Sequence, residues 1–237
     1  MINDVVSTEM GVKVNETDIV KMDGKRLYRQ NYVYVLLNKP KDFLTTTDDP
    51  EERKTVMQLI KNATNERIYP VGRLDRQTTG LLLLTNDGEL TQQLTHPSFE
   101  VRKIYHVWLD KEITNENLEE IAEGVELEDG MIKVDAIALN DSSIRNEVGI
   151  EIHSGKNRIV RRIFEYFGYQ VEKLDRVFYA GLTKKDLPRG TWRYLSENEV
   201  RMLKNEKIAD QRPQRKIETA SVEQTQTSTQ TDGEVEI

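Results

Sequence analysis

Apolar residues between positions 30 and 207 fall mostly in short runs or in strict alternation, which predicts many strands and few helices. Tyr32–Asn38 is an apolar run that ends at Lys39-Pro40, and residues 103–109 alternate in polarity, so each is predicted to be a strand. Further strands are predicted at residues 68–71, 81–85, 131–139, 147–153, 171–179 and 191–195. This pattern predicts an α+β fold, with a mostly antiparallel mixed sheet and flanking helices.

Helical spacing of apolar residues predicts helices at residues 53–61, 89–94, 115–123, 156–167 and 196–207. In the acidic segment 115–123, Leu118, Ile121 and Ala122 are expected to face inward. The last helix begins with Ser196-Glu-Asn-Glu199, a capping box in which each side chain can bond the other residue's backbone N–H.

The two ends of the chain differ from its middle. Residues 1–29 contain the alternating stretches Gly11–Asn15 and Asp18–Gly24, and Asp23-Gly24 favours a hairpin turn. Residues 208–237 are rich in Gln, Thr, Ser and Glu without apolar periodicity, which predicts a disordered polar tail. We therefore expect a short β segment at 1–29, a main domain at 30–207 and the tail.

Composition narrows the possible chemistry. The 237 residues are 37% hydrophobic with a mean hydropathy of -0.65, and the sequence has no membrane-spanning run and no signal-peptide pattern, which predicts a cytoplasmic protein. Cysteine is absent, which excludes disulfides, thiol nucleophiles and thiolate metal sites. The three histidines lack ligand spacing, so we expect no metal.

The charge is unevenly distributed around a net value of -7. Residues 155–193 contain ten Lys/Arg and four Asp/Glu. Residues 99–130 contain three Lys/Arg and ten Asp/Glu. The basic segment is suited to a nucleic-acid partner, but ordinary solvated surfaces produce the same pattern. Charge alone leaves both interpretations open.

One loop carries the clearest candidate for chemistry. Asp75 lies between Arg73 and Arg76 in Val71-Gly-Arg-Leu-Asp-Arg-Gln-Thr-Thr-Gly-Leu81, and it is followed by further leucines. Two neighbouring guanidinium groups favour an ionised carboxylate, which can act as a nucleophile or a base. A plain surface turn is the alternative for an isolated Asp in such a setting.

Two other segments are candidates for binding. In Gly155-Lys-Asn-Arg-Ile-Val-Arg-Arg-Ile-Phe164, helical spacing would place Arg158, Arg161, Arg162 and Glu165 on one polar stripe, next to Lys156. In the strand at 103–109, Lys103 and Tyr105 share one face, where the ring could stack on a base. A basic amphipathic helix and a core tyrosine are the structural alternatives.

These segments, taken in order, resemble the RsuA/RluB family of pseudouridine synthases, which act on bacterial ribosomal RNA, with the large-subunit type as the closer match. The resemblance spans about residues 32–203. It also includes Leu37-Asn-Lys-Pro40, Thr85-Asn-Asp-Gly88, Leu94-Thr-His-Pro97, Gly124-Val-Glu-Leu-Glu-Asp-Gly130, Lys173-Leu-Asp-Arg176 and Leu187-Pro-Arg-Gly190. Residues 1–29 similarly resemble the last strands of an S4-type RNA-binding domain, without its preceding helices.

The resemblance implies the family fold with its active-site cleft across the sheet, and isomerisation of uridine to pseudouridine in ribosomal RNA by a cofactor-free monomer. It implies that Asp75 is the catalytic aspartate, Tyr105 the active-site tyrosine and Arg161 the basic partner of Asp75. The RNA-binding candidates are Arg73, Arg76, Lys103, Lys156, Arg158 and Arg162.

One position departs from the family pattern, because Ile159 stands where Gln or Glu is common. Three other functions stay open: a non-catalytic RNA-binding ribosome assembly factor, an aspartate-dependent hydrolase, and an isomerase that acts on small-subunit or transfer RNA. A hydrolase would need a second acid or base, or a metal, and the sequence has none at suitable spacing.

Overall fold

The computed structural model describes residues 1–9, 11–15, 17–27, 31–141 and 143–205. The strands are β1 (Val20–Met22), β2 (Lys25–Leu27), β3 (Tyr34–Lys39), β4 (Tyr69–Pro70), β5 (Thr79–Thr85), β6 (Lys103–Leu109), β7 (Val125–Leu127), β8 (Gly130–Ile132), β9 (Ala136–Asp141), β10 (Ile144–Ile152), β11 (Val171–Tyr179), β12 (Leu182–Thr183) and β13 (Trp192–Tyr194). The helices are α1 (Val56–Leu59), α2 (Gly88–Thr95), α3 (Asn115–Glu123), α4 (Ile159–Tyr166) and α5 (Glu197–Asn205), with a 3₁₀ turn at Pro97–Phe99.

A nine-stranded mixed sheet organises the described part of the chain. Its order is β13-β3-β5-β11-β6-β10-β9, while β12 pairs with β11 and β4 pairs with β5. The β5–β11 pair is parallel, and the other neighbouring strands of this sheet are antiparallel. The predicted α+β class with a mostly antiparallel sheet is therefore confirmed.

The consecutive leucines of β5 are explained by burial on both faces of the sheet. Leu82 and Leu84 join the larger hydrophobic core, which also contains buried residues of α1, α3 and α4. Leu81 and Leu83 join a second core, to which α2 and α5 contribute. A strand that is covered on both faces needs a continuous apolar run rather than alternation.

The structure corrects three sequence predictions. The predicted strand at 131–139 is two strands, β8 and β9, and β8 forms a hairpin with the unpredicted β7. Ala122 was expected to face inward, but it is exposed, whereas Ile121 is fully buried. The basic helix begins at Ile159 rather than at residue 156, because Arg158 adopts a left-handed conformation with φ 49°.

The N-terminal region forms a separate hairpin in which β1 pairs with β2, and its turn includes the predicted Asp23-Gly24 pair. The boundary expected at 29/30 and the tail at 208–237 lie outside the described residues, so the three-part division stays a prediction. Among the described helices, none combines the length and the apolar character that crossing a membrane requires.

Candidate active site

Asp75 lies on the loop between β4 and β5, at a cavity of about 860 Å³. The cavity walls come from this loop, from β6 and β11, and from the segments that flank β8 and α4. Among the described residues, none donates a hydrogen bond to the Asp75 carboxylate. The half-buried carboxylate therefore faces the cavity with its oxygens available to a ligand.

A buried lysine holds this loop in place. Lys39 has no exposed surface, and its Nζ donates to the backbone oxygens of Thr78 at 2.8 Å, Asp75 at 3.1 Å and Arg76 at 3.3 Å. Burial lowers the pKa of Lys39 to about 8, although the charges of Asp75 and Asp42 oppose the change. Because one cationic group bonds three carbonyls, the loop backbone has little freedom to move.

Gly80 explains how the loop enters β5. Its φ is +108°, and a Cβ at this position would overlap the backbone oxygen of Arg176 on the parallel strand β11. A larger residue would therefore push β5 away from β11, which contributes Arg176 and Leu174 to the cavity wall.

Tyr105 and Lys103 reach the cavity from β6. Both side chains line the cavity, and Tyr105 is 9% exposed within the larger core. The Nζ of Lys103 donates to the backbone oxygens of His153 at 2.7 Å and Val101 at 2.8 Å. Because alternate residues of a strand share a face, the predicted pairing of Lys103 with Tyr105 is confirmed.

Arg161 is positioned differently from the sequence prediction. The prediction that Arg161 lies on the polar face of the helix is wrong, because this residue is only 8% exposed. Its Nη1 donates to the backbone oxygen of Val171 at 2.7 Å. Its Nε and Nη2 are buried without a hydrogen-bond partner, and within the described residues no salt bridge joins it to Asp75. Burial and then the Arg158 charge lower the pKa of Arg161, while the Asp75 charge partly offsets that effect.

Cations near the cavity rim are paired with acids. Arg162 forms two hydrogen bonds with the Asp129 carboxylate, at 2.7 and 3.0 Å, and Lys156 donates to the Asp129 backbone oxygen at 2.7 Å. Arg158 pairs with Glu165 at 3.1 Å. Since Asp129 lies in the turn between β7 and β8, these contacts tie that hairpin to α4.

The predicted site residues fall into two groups. Those that line the cavity are Asp75, Tyr105, Arg73, Lys103, Lys156 and Arg158. Those that do not are Arg76, Arg161 and Arg162. The exposed Arg76 instead approaches Asp42, with 3.5 Å between its Nε and the carboxylate.

The sequence predicted no role for Arg176, Tyr179 or Lys39, although Lys39 and Arg176 belong to motifs that resemble the family pattern. Arg176 and Tyr179 line the cavity, and the guanidinium carbon of Arg176 lies 4.3 Å from the Tyr179 ring centroid. A usable signal was present for Arg176, because it is a long cationic side chain inside the predicted strand 171–179, whereas Lys39 directly follows the predicted strand that ends at Asn38.

The cavity combines the Asp75 carboxylate, tyrosine rings and several cations, with Glu100 also in its wall, which suits a nucleotide rather than a metal ion. Within the described residues, no group of three His, Cys, Asp or Glu side chains could hold a metal. Its volume is within the range of small-molecule sites.

Comparison with known proteins identifies the relatives of this chain. Ribosomal large subunit pseudouridine synthase B of Bacillus subtilis (strain 168) is 39% identical over 206 residues, which cover 86% of this chain and 84% of that protein. A protein named as an uncharacterized RNA pseudouridine synthase of Aquifex aeolicus (strain VF5) is also 39% identical, covering 85% and 82%.

Structural comparison agrees with the sequence relatives. A crystal structure described as a pseudouridylate synthase superposes with a TM-score of 0.67 and 27% identity, covering 86% of this chain and 87% of that one. The family model described as RNA pseudouridylate synthase matches residues 33–166. The resemblance found in the motifs is confirmed, and the chain belongs to the RNA pseudouridylate synthase family.

Proposed function

We propose that this protein isomerises uridine to pseudouridine in ribosomal RNA, and that its target lies in the large subunit. The relatives named ribosomal large subunit pseudouridine synthase B support this substrate, because one is 39% identical along most of both chains. The protein acts as a monomer, and it acts in the cytoplasm, where ribosomal RNA is available.

The observation that carries the proposal is the Asp75 carboxylate, which faces the cavity on a loop that Lys39 bonds at three carbonyls. A reacting group needs a fixed position and unoccupied oxygens, and Asp75 has both. The uridine leaves its stack to reach this cavity, since its C1′ is inaccessible inside a helix.

The reaction conserves atoms and electrons. The C1′–N1 bond breaks and its electron pair leaves with the uracil, while Asp75 either bonds C1′ or removes the 2′ proton. The uracil rotates and C5 bonds C1′, while the Asp75–C1′ bond breaks or, on the other route, the proton returns to C2′. The C5 proton is then lost and N1 gains a proton, so the product is an isomer of the substrate. The net change is an isomerisation without redox, so it requires neither a cofactor nor a metal.

The other candidate residues have supporting roles in this proposal. Tyr105 stacks on the uracil and takes part in removing the C5 proton. Arg161, which has two unpartnered nitrogens, orients Asp75 once the nucleotide is bound. Arg73, Lys103, Lys156 and Arg158 line the cavity and contact the RNA, and Arg76 and Arg162 extend this surface.

The test is to map pseudouridine in ribosomal RNA from a strain that lacks this protein, complemented with wild type or with Asp75→Asn. Asn is nearly isosteric but cannot be ionised, so we expect wild type to restore a missing large-subunit pseudouridine and the variant to restore none. Asp48→Asn, which removes an exposed carboxylate away from the cavity, is the matched control.

Two results would contradict the proposal. A missing pseudouridine in small-subunit or transfer RNA would assign a different substrate. Full restoration by Asp75→Asn would remove the aspartate from the chemistry and leave the ribosome assembly factor as the alternative.

A further inference from the structure

Arg176 is a buried cation with unused hydrogen-bonding capacity. It is 3% exposed and lines the cavity, and its Nε donates to the backbone oxygen of Leu81 at 2.8 Å. Its Nη2 is buried without any hydrogen-bond partner, and among the described residues no carboxylate forms a salt bridge with it. An unpaired buried guanidinium is costly, which indicates that a ligand satisfies it.

The position of Arg176 is rigidly determined. On β11 it is in register with Tyr105 of β6 on one side and with Gly80 of β5 on the other. Its guanidinium lies over the Tyr179 ring, whose hydroxyl donates to the backbone oxygen of Leu94 at 3.4 Å. The guanidinium is therefore held beside the tyrosine on which the uracil is proposed to stack.

Lys103 places a second cation on the same wall. Burial and then the Arg176 charge lower the pKa of Lys103 to about 8, against an opposing effect of Asp135. Two of its three N–H donors bond backbone oxygens, so one is available. Two cations close enough to repel each other favour an anionic ligand between them.

Because Arg176 is buried, it can contact only the part of a nucleotide that enters the interior of the cavity. The cations that suit phosphate groups are exposed, such as Arg73 and Arg158 at the edge of the cavity. A phosphate group remains accessible when a base is flipped, whereas the base enters the interior. Arg176, next to Tyr105, is therefore positioned to meet the base.

We propose that Arg176, with Lys103 beside it, donates hydrogen bonds to the uracil oxygens and stabilises the negative charge on the base after the N-glycosidic bond breaks. This inference rests on the proposed isomerisation. The electron pair of the broken bond leaves with the uracil and returns in the C1′–C5 bond, so the cations change no bond themselves. Donors placed where charge develops stabilise the transition state more than the bound substrate.

The first experiment separates turnover from binding in Arg176→Gln, using ribosomal RNA as the substrate. We expect kcat to fall by roughly 10²–10³-fold, with RNA affinity within about threefold of wild type. Arg176→Lys should recover part of the lost turnover because it keeps the charge. Lys173→Gln, on an exposed position of the same strand, should behave like wild type.

The second experiment tests the charge directly with RNA that carries 5-fluorouridine at the target position. Fluorine stabilises the uracil anion, so the cleavage defect of Arg176→Gln should be smaller with this RNA than with uridine under single-turnover conditions. A purely structural defect would be equal for both substrates, and equal defects would refute the inference.

The remaining outcomes also discriminate. Weaker RNA binding with unchanged kcat would assign Arg176 to a phosphate group and overturn the proposal. Wild-type protein without isomerase activity would refute the proposed function, whereas active wild type with a fully active Arg176→Gln variant would refute this inference alone. Thermal unfolding confirms that each variant is folded before rates are compared.

Discussion

The Nζ atom of Lys39 donates a hydrogen bond to the backbone oxygen of Asp75 at 3.1 Å, so a fully buried cation holds the residue that we propose as the catalyst. The same ammonium group also bonds Arg76 and Thr78. Precise catalytic geometry depends on such supporting contacts, because small displacements of a reacting group lower the rate.

We expect Lys39→Met to lower both turnover and stability. The change leaves three loop carbonyls without their common donor, which costs about 1–3 kcal/mol for each buried group that water cannot reach. The measurements are kcat and the melting temperature. Lys41→Met, which removes an exposed cation two residues later, is the control, and equal effects in both variants would contradict the role of Lys39.

Arg161→Ala should reduce turnover far more than Arg162→Ala. Arg161 is buried with two free nitrogens and interacts with the Asp75 charge, whereas Arg162 pairs with Asp129 at the surface. A buried charged contact is worth a few kcal/mol, against less than about one for an exposed pair. Single-turnover rates on RNA decide the comparison, and similar losses would place Arg161 outside the reaction.

Asp129→Asn should strengthen RNA binding. The carboxylate occupies Arg162 and also lies 3.7 Å from the Nζ of Lys156, so neutralising it makes these cations more available to phosphate groups. Dissociation constants measured over a salt series should be lower for the variant and should rise more steeply with salt, since each added phosphate contact releases counterions. Unchanged affinity at low salt would show that Lys156 and Arg162 do not contact RNA. Glu119→Gln, on the exposed surface of α3, removes a comparable charge and should leave binding unaltered.

Asp175 should contribute acid-sensitive stability. Burial disfavours its ionisation, but hydrogen bonds from Arg189, Lys184 and Thr79 outweigh burial and lower its pKa to about 2. Because this value lies below the unfolded value of 3.8, the contribution is present above pH 3.8 and is lost as the pH falls towards 2. The shift corresponds to about 2 kcal/mol.

The corresponding measurement is denaturant unfolding of wild type and Asp175→Asn between pH 5 and 2. The difference in unfolding free energy between the two proteins should shrink as the pH falls through this window. A constant difference would mean that the variant loses packing or hydrogen bonds rather than a charge.

Local pattern determined much of the fold. The bounds of β6 and α3 agree with the predicted 103–109 and 115–123, because alternation and helical spacing are properties of neighbouring residues. The capping box is also present, since Ser196 and Glu199 each bond the other's backbone N–H.

Local pattern failed where burial depends on distant segments. Helical spacing placed Arg161 on the same face as Arg158 and Arg162. In the structure, the part of α4 that carries Arg161 packs against the start of β11 at Val171, so the Arg161 guanidinium is buried. The hairpin of β7 and β8 was missed because its strands have three residues each, too few for periodicity to register.

The sequence by itself determined the α+β class, the strand that carries Tyr105 and the motif around Asp75, because each depends on residues that are close along the chain. Only the tertiary structure decided that Lys39 holds the Asp75 loop and that Arg176 lies beside Tyr105 with an unpartnered nitrogen. These relationships join residues 36 and 71 positions apart, and they arise from strand order and register, which local periodicity does not encode.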